Sequence, residues 1–254
     1  MSDKIFGESG SRVVVEEHLT GPEVTVLAFC DGKTLVPMVS SQDHKRALDG
    51  DLGPNTGGMG AISPAREYTP EIAARCAAEI FLPTLNALNN ERIVYKGVIY
   101  FGLMLTPEGP KVIEYNSRLG DPEAQAVLPR LKTDLIDIIN AVIDGKLSEI
   151  KIEWDGNPYA CVVMASGGYP GKYSTGCPIT GIKEAEALGG VTVCHAGTLK
   201  TGEGFVTNGG RVLCVGASDP TLESALGRAY EGVRLIDFKD KHYRTDIGKK
   251  PERR

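Results

Sequence analysis

Glu114-Tyr115-Asn116-Ser117-Arg118 follows the apolar pair Val112-Ile113 and reads E-x-N-x-R. In an extended strand the side chains alternate between faces. Glu114, Asn116 and Arg118 are therefore expected on one face, as a carboxylate, an amide oxygen and a guanidinium. A hard cation such as Mg²⁺ takes oxygen ligands and usually keeps phosphate oxygens as partners. An arginine beside it can hold an anion bidentately. The spacing admits a metal–phosphate site; it equally admits an exposed strand end whose polar groups are solvated. No stretch of the chain is a recognisable phosphate cradle. There is no G-x-x-x-x-G-K-[ST], and no G-x-G-x-x-G opens a helix after a strand.

The composition supports real cores around this segment. The chain has 254 residues, enough for one large or two small domains, and 41% hydrophobic with 24% charged residues reads as a soluble globular protein. A net charge of −5 argues against a general nucleic-acid binder. No apolar run reaches membrane-spanning length and no signal-peptide pattern is read at Met1, so a cytoplasmic protein without a membrane partner is expected. The cysteines (30, 76, 161, 177, 194 and 214) form no C-x-x-C, which favours reduced thiols over a disulfide framework or a zinc site. Glycines cluster at 50–60, 167–181 and 202–210, marking tight turns and close backbone approaches.

Pattern reading gives an α+β organisation. Strands are expected at 12–19, Glu23–Cys30 and 34–40, joined by glycine turns as an antiparallel meander, with a long glycine-rich loop from 41 to about 66. Thr69-Pro70 opens a helix with Ile72, Cys76, Ile80 and Leu88 near helical spacing, which Pro83 should kink or split. Strands at 97–105 and 111–116 follow, and Asp121-Pro122 opens another helical stretch. Leu135, Ile138, Ile139 and Val142 form an apolar stripe closed by Gly145 at C′. A second unit begins near Asp155. It has strands at Tyr159–Ala165, Val191–His195, Gly204–Thr207 and 211–215, and one helix over 219–234 that packs through Leu222, Ala225, Ala229 and Val233. The expected domains are 1–150 and 151–254.

Other stretches bear on chemistry. Glu16-Glu17-His18-Leu19, with Glu23, places tandem carboxylates where they can meet an adenosine, or where they solvate a hairpin edge. Ser41-Gln42-Asp43-His44-Lys45-Arg46 gathers an acid, a base and cations. Gly53-Pro54-Asn55-Thr56-Gly57-Gly58-Met59-Gly60 lets backbone amides approach a ligand, and a polar surface loop is the plainer reading of both. Asp121 reads as a helix N-cap or a site residue, and Glu123 in the first turn suits the helix dipole in either case. His18, His195 and His242 stand isolated, as surface or satisfied histidines.

These stretches, in this order, resemble the phosphoribosylamine–glycine ligases (glycinamide ribonucleotide synthetases) of the ATP-grasp superfamily. The likeness continues through Gly168-Tyr169-Pro170-Gly171, His195-Ala196-Gly197-Thr198, Thr207-Asn208-Gly209-Gly210-Arg211-Val212 and Asp246-Ile247-Gly248. It implies a large ATP-grasp lobe, an antiparallel sheet with flanking helices, followed by a small β-rich C-terminal domain with one main helix. It implies glycine joined to 5-phosphoribosylamine through a glycyl phosphate, with ATP as co-substrate becoming ADP and phosphate in purine biosynthesis. By the resemblance, Glu114 and Asn116 bind Mg²⁺ (or Mn²⁺), and Arg118 steadies the transferring phosphoryl or acyl phosphate. Glu16, Glu17, Leu19 and Glu23 line the adenosine pocket. The stretches carrying Gln42, Asp43, His44, Lys45, Asn55, Thr56, Gly57 and Gly58, with Asp121 and Glu123, approach glycine and the ribosylamine.

Two departures from the family pattern follow. Tyr100-Phe101-Gly102-Leu103 offers no second metal carboxylate on the preceding strand. The family's N-terminal substrate domain and small ATP-grasp lobe, with its glycine-rich loop and lysines, have no counterpart, and residues 1–8 resemble the joining segment. The expectation is a C-terminal portion that is inactive alone and completed by a separately encoded N-terminal portion or by a front part outside this sequence. The alternative is a non-catalytic nucleotide- or Mg-binding module, or a partner subunit of a split synthetase.

Overall fold

A computed structural model describes residues 12–249; the joining segment expected at 1–8 lies outside the described residues. The strands are β1 (Glu23–Cys30), β2 (Leu35–Pro37), β3 (Gln42–Asp43), β4 (Arg46–Leu48), β5 (Leu52–Asn55), β6 (Gly60–Ser63), β7 (Gly97–Thr106) and β8 (Gly109–Asn116). They continue as β9 (Tyr159–Ala165), β10 (Pro178–Ile179), β11 (Val191–His195), β12 (Thr198–Thr201), β13 (Gly204–Thr207) and β14 (Arg211–Ser218). The helices are α1 (Pro70–Cys76), α2 (Leu82–Asn90), α3 (Glu123–Val127), α4 (Leu135–Asp144), α5 (Ile182–Glu186) and α6 (Leu222–Leu235).

The first sheet has the order β2-β1-β7-β8, all antiparallel. Every residue of β1 after Glu23 is buried, because both faces of the sheet are covered. Val24, Val26, Ala28 and Cys30 pack with Cys76, Ile80, Phe81 and Leu85 of the helical layer on one face. Leu27, Phe29 and Tyr100 pack with Ile138, Val142 and Leu147 on the other. A strand covered on both faces reads as a continuous apolar run, and Val24-Thr25-Val26-Leu27-Ala28-Phe29-Cys30 is one. The second sheet has the order β11-β14-β9-β6-β3. One face carries α6 through Ala225, Leu226, Ala229 and Val233, and the other meets Ala126 of α3 through Ala61, Cys161 and Cys214. The α+β architecture with antiparallel sheets and flanking helices is as expected.

Several local expectations need correction. Residues 12–19 form no strand; Val14 and Val15 are 83% and 91% exposed. β1 already carries β2 on one edge and β7 on the other, so the segment has no edge of β1 to join. The stretch from 41 to 66 is not a loop but carries β3 to β6, and β6 is wholly buried beside β9. This second sheet thus runs across the division expected at residue 150. Ile139 of α4 is exposed, so the buried stripe there is Ile138, Ala141 and Val142.

Other signals hold. Thr69 caps α1, and Gly145 ends α4 at φ 69°, the left-handed turn glycine adopts without penalty; the cap at the start of α4, not read from the sequence, is Asp134. Pro83 does not break its helix, contrary to a split: the backbone stays helical from Pro70 to Asn90, through the junctions at Ala77 and Leu82. A π turn over Ala77–Phe81, in which the Leu82 N–H reaches the Ala77 carbonyl, precedes α2 and places the proline in the first helical turn. α6 starts at a Thr221–Ser224 capping box.

Candidate nucleotide and substrate site

β8 delivers the opening motif to the edge of the first sheet. Glu114 stands opposite Gly102 and Asn116 opposite Tyr100, with an irregularity between Leu103↔Val112 and Gly102↔Glu114 that leaves Ile113 unmatched. Tyr115 points the other way: its ring meets Phe101 edge-on at 5.5 Å and its hydroxyl lies 3.0 Å from Thr84 Oγ1. The alternation therefore puts Glu114 and Asn116 on one face. Gly102 explains why no carboxylate stands on the neighbouring strand there. A Cβ at that position would come within 2.9 Å of Glu114 Cγ, so only glycine leaves room for the Glu114 side chain. Among the described residues neither Glu114 nor Asn116 spends its side-chain oxygen on a hydrogen bond. β8 ends at Asn116, so strand alternation alone does not place Arg118, whose Nη1 donates to the Leu119 carbonyl at 2.9 Å.

Glu16, Glu17, Leu19 and Glu23 come together around one cavity of about 370 Å³, completed by Met104, Lys111, Val112 and Ile113. The Glu17 carboxylate is held by Lys111 Nζ at 2.8 Å. A second cavity, of about 680 Å³, is lined by Glu23, Gln42, Asp43, His44, Lys45 and Asn55, with Arg66 and Gly248 behind them. The two cavities share Glu23, which pairs with Lys45 Nζ at 3.0 Å. A narrow gap beside this pair is bordered by Asp43, Tyr100, Gly102 and Glu114. Burial pulls the Lys45 pKa down, but Glu23, Asp43 and Glu114 outweigh it and hold the ammonium above its ordinary value.

Two buried carboxylates stand behind the gap. Glu123 is 3% exposed; its Oε1 accepts from Tyr100 Oη at 2.7 Å and Thr25 Oγ1 at 3.1 Å. Burial, and then the Glu123 charge, push the Tyr100 phenol up. Asp43 Oδ1 is buried without a hydrogen-bond donor among the described residues. Burial, and then the nearby Glu123 charge, raise the Asp43 carboxyl well above its usual range, against the pull of Lys45 and Arg211.

His44 is a wall residue. Its Nε2 accepts the Gly248 N–H at 3.0 Å, and Nδ1 faces the Gly60 carbonyl at 3.3 Å, which fixes a neutral ring with its proton on Nδ1. Burial, and then the Arg244 cation, lower its pKa to about 4. Arg244, itself buried, pairs with Asp51 at 2.8 Å and Asp246 at 2.7 Å. Gly248 and Lys249, which follow this cluster, line the back of the larger cavity.

Asp121 does not cap α3. The residue before the helix is Pro122, which carries no side-chain cap, and the Asp121 carboxylate pairs with Arg211 Nη2 at 3.1 Å. Thr56 Oγ1 accepts the Gly58 N–H at 2.9 Å and donates to the Lys45 carbonyl at 2.9 Å, folding the 55–58 turn onto the 42–46 stretch. Gly58 has φ +112°, and a Cβ there would fall 2.5 Å from Asp43 Oδ1 and 2.4 Å from Pro122 Cδ. Sequence reading did not assign Lys111, Tyr100, Arg211, Arg244 or Asp246 to the site. Arg211 and Asp246 stand inside glycine-bearing motifs, whereas Lys111 and Tyr100 carry no local signal.

A metal shell is only partly supplied. Among the described residues no cluster of three or more His, Cys, Asp or Glu could close around an ion. One carboxylate and one amide oxygen, both free and on one face, suit a hard cation whose remaining ligands are phosphate and water. Among the described residues no helix is long and apolar enough to cross a membrane.

Residues 1–124 match the family described as phosphoribosylglycinamide synthetase, ATP-grasp (A) domain, and residues 159–250 match its C domain. The chain is 50% identical over 248 residues to a phosphoribosylamine–glycine ligase of Rhodopirellula baltica, covering 97% of this chain and 57% of the relative. It is 52% identical over 250 residues to the trifunctional purine biosynthetic protein adenosine-3 of Gallus gallus, covering 98% of this chain and 25% of that one. The crystal structure of a phosphoribosylamine–glycine ligase from Thermotoga maritima superposes with a TM-score of 0.82 at 34% identity, over 92% of this chain and 57% of that one. An L-amino acid ligase from Bacillus licheniformis shares the fold, with a TM-score of 0.59 at 16% identity over 87% of this chain and 54% of that one. The chain thus spans little more than half the length of the single-function ligases it matches.

Proposed function

The chain belongs to the phosphoribosylglycinamide synthetase family, and from that premise we propose that it supplies the metal and substrate side of an ATP-dependent ligase. The reaction joins glycine to 5-phosphoribosylamine as ATP becomes ADP and phosphate. One observation carries the reading: Glu114 borders the gap at which the two cavities meet. Phosphoryl transfer is catalysed mainly by holding donor and acceptor in line. A nucleotide in the cavity of Glu16, Glu17, Leu19 and Glu23 would send its phosphates past Glu114 toward an acceptor in the cavity of Gln42, Asp43, Lys45 and Asn55.

Glu114 and Asn116 would hold Mg²⁺ or Mn²⁺, whose charge offsets that of the phosphate oxygens. Leu19, Met104 and Val112 present apolar surface to a base, and Glu16 and Glu23 present acceptors to ribose or amino groups. Lys45, tied to Glu23, brings a cation to the junction. Arg118, just past the strand end, would reach an anion there. Asp43, Gly57, Gly58, Asp121 and Glu123 shape the acceptor side. The rest of the phosphate clamp is assigned to the part of the family architecture that this chain does not span.

Manganese binding tests the reading. In electron paramagnetic resonance titrations of the 254-residue chain, ATP should promote Mn²⁺ binding, and Glu114→Gln should weaken it on the order of 10-fold or more. Equal Mn²⁺–ATP binding by the wild type and the variant, both folded, would overturn the assignment.

A further inference from the structure

Arg211 opens β14, far in sequence from the substrate-facing stretches, yet its guanidinium sits between two of them. Nη1 donates to the Gly57 carbonyl at 2.7 Å and the Asp121 carbonyl at 2.9 Å, with the Gly58 carbonyl at 3.5 Å. Nη2 pairs with Asp121 Oδ2 at 3.1 Å. The guanidinium lies so close over Gly57 that a Cβ there would fall 2.9 Å from Arg211 Cζ. Tyr169 reaches the same turn: its hydroxyl accepts the Gly57 N–H at 3.1 Å, and its ring lies against Gly210, where a Cβ would meet Cδ2 at 2.3 Å. The far side of Gly58 rests on Asp43 and Pro122.

We propose that Arg211 is a positioning residue, which fixes the 57–58 turn against the Asp121 turn and so braces Asp43, which lines the acceptor cavity. The C-terminal unit thereby shapes the small-substrate side of the site and leaves the metal strand untouched. A planar fork with several donors can serve the Gly57 carbonyl, the Asp121 carbonyl and the Asp121 carboxylate at once. A lysine ammonium on a flexible stem cannot hold all three in that plane. The structural half of the inference stands on geometry alone; its kinetic half rests on the ligase reading.

Amide exchange on the 254-residue chain tests the first half. Arg211→Ala should speed exchange in 56–60 by about 10-fold or more while β7 and β8 keep their protection, and Arg211→Lys should restore only part of it. Tyr169→Phe, which removes one hydroxyl, should loosen the Gly57 amide selectively and serves if the arginine variants fail to fold. In the chain mixed with the N-terminal portion of a relative, Arg211→Ala should raise the KM for glycine or phosphoribosylamine about 10-fold and leave the KM for ATP within about twofold. Unchanged exchange in 56–60, or a KM for ATP that rises in step, would overturn the proposal. A wild-type mixture without turnover would overturn the ligase reading, and the exchange result would then decide the role of Arg211.

Discussion

His44 lies in the middle of a stretch expected to face substrate, but both ring nitrogens are engaged by backbone groups at Gly60 and Gly248. Its chemistry therefore appears in stability. Above about pH 6.5 the ring is neutral in folded and unfolded chains alike; between 6.5 and about 4 only the unfolded chain takes up the proton. Acidification through that window should remove about 1.4 kcal/mol of stability per pH unit from the wild type. Asp43, whose carboxyl is raised, works in the opposite sense, so the difference from His44→Gln is the informative quantity. The expected result is a denaturation midpoint that falls more steeply for the wild type than for the variant between pH 6.5 and 4.5. Parallel profiles would contradict it. Glu114 and Asn116 were legible in the sequence because strand alternation is a local rule. For Arg118 the rule runs out, because β8 stops at Asn116. Arg211 was not legible at all, since its partners lie 154 and 90 residues away.

Among the elements, those with capping or long apolar signals were legible: α1 from Thr69-Pro70, α4 from its apolar stripe and Gly145, and α6 from its own stripe. β6 escaped because it is four residues of Gly-Ala-Ile-Ser inside a glycine-rich stretch, and its partner β9 begins almost a hundred residues later. The segment 12–19 misled in the opposite way. Val13-Val14-Val15 has strand propensity but pairs with no strand, both edges of β1 being taken by β2 and β7, and pairing rather than propensity makes a strand. We propose that the boundary near 150 divides the chain covalently but not energetically, because β6 and β9 share a buried ladder and one core. Expressed alone, residues 151–254 would expose the apolar edge of β9, and should aggregate or self-associate. A monodisperse, cooperatively folded monomer of 151–254 would count against that.

At the scale of the whole molecule, the two cavities meet where the first sheet abuts the 42–58 stretch, and the second sheet braces that stretch from behind. The chain matches the family along most of its length but spans 57% of the Rhodopirellula baltica ligase. We propose that Glu114 and Asn116 on β8, with the cavity lined by Asp43 and Lys45, form the metal and acceptor side of such a ligase, which works with a complementary phosphate clamp. The most direct test is ADP release dependent on both glycine and phosphoribosylamine, measured for the 254-residue chain alone and mixed with the N-terminal portion of a relative. Negligible release alone, turnover on mixing, and loss of that turnover with Glu114→Gln are expected. Robust substrate-dependent release by the chain alone, or none from a mixture in which both parts are folded, would contradict it.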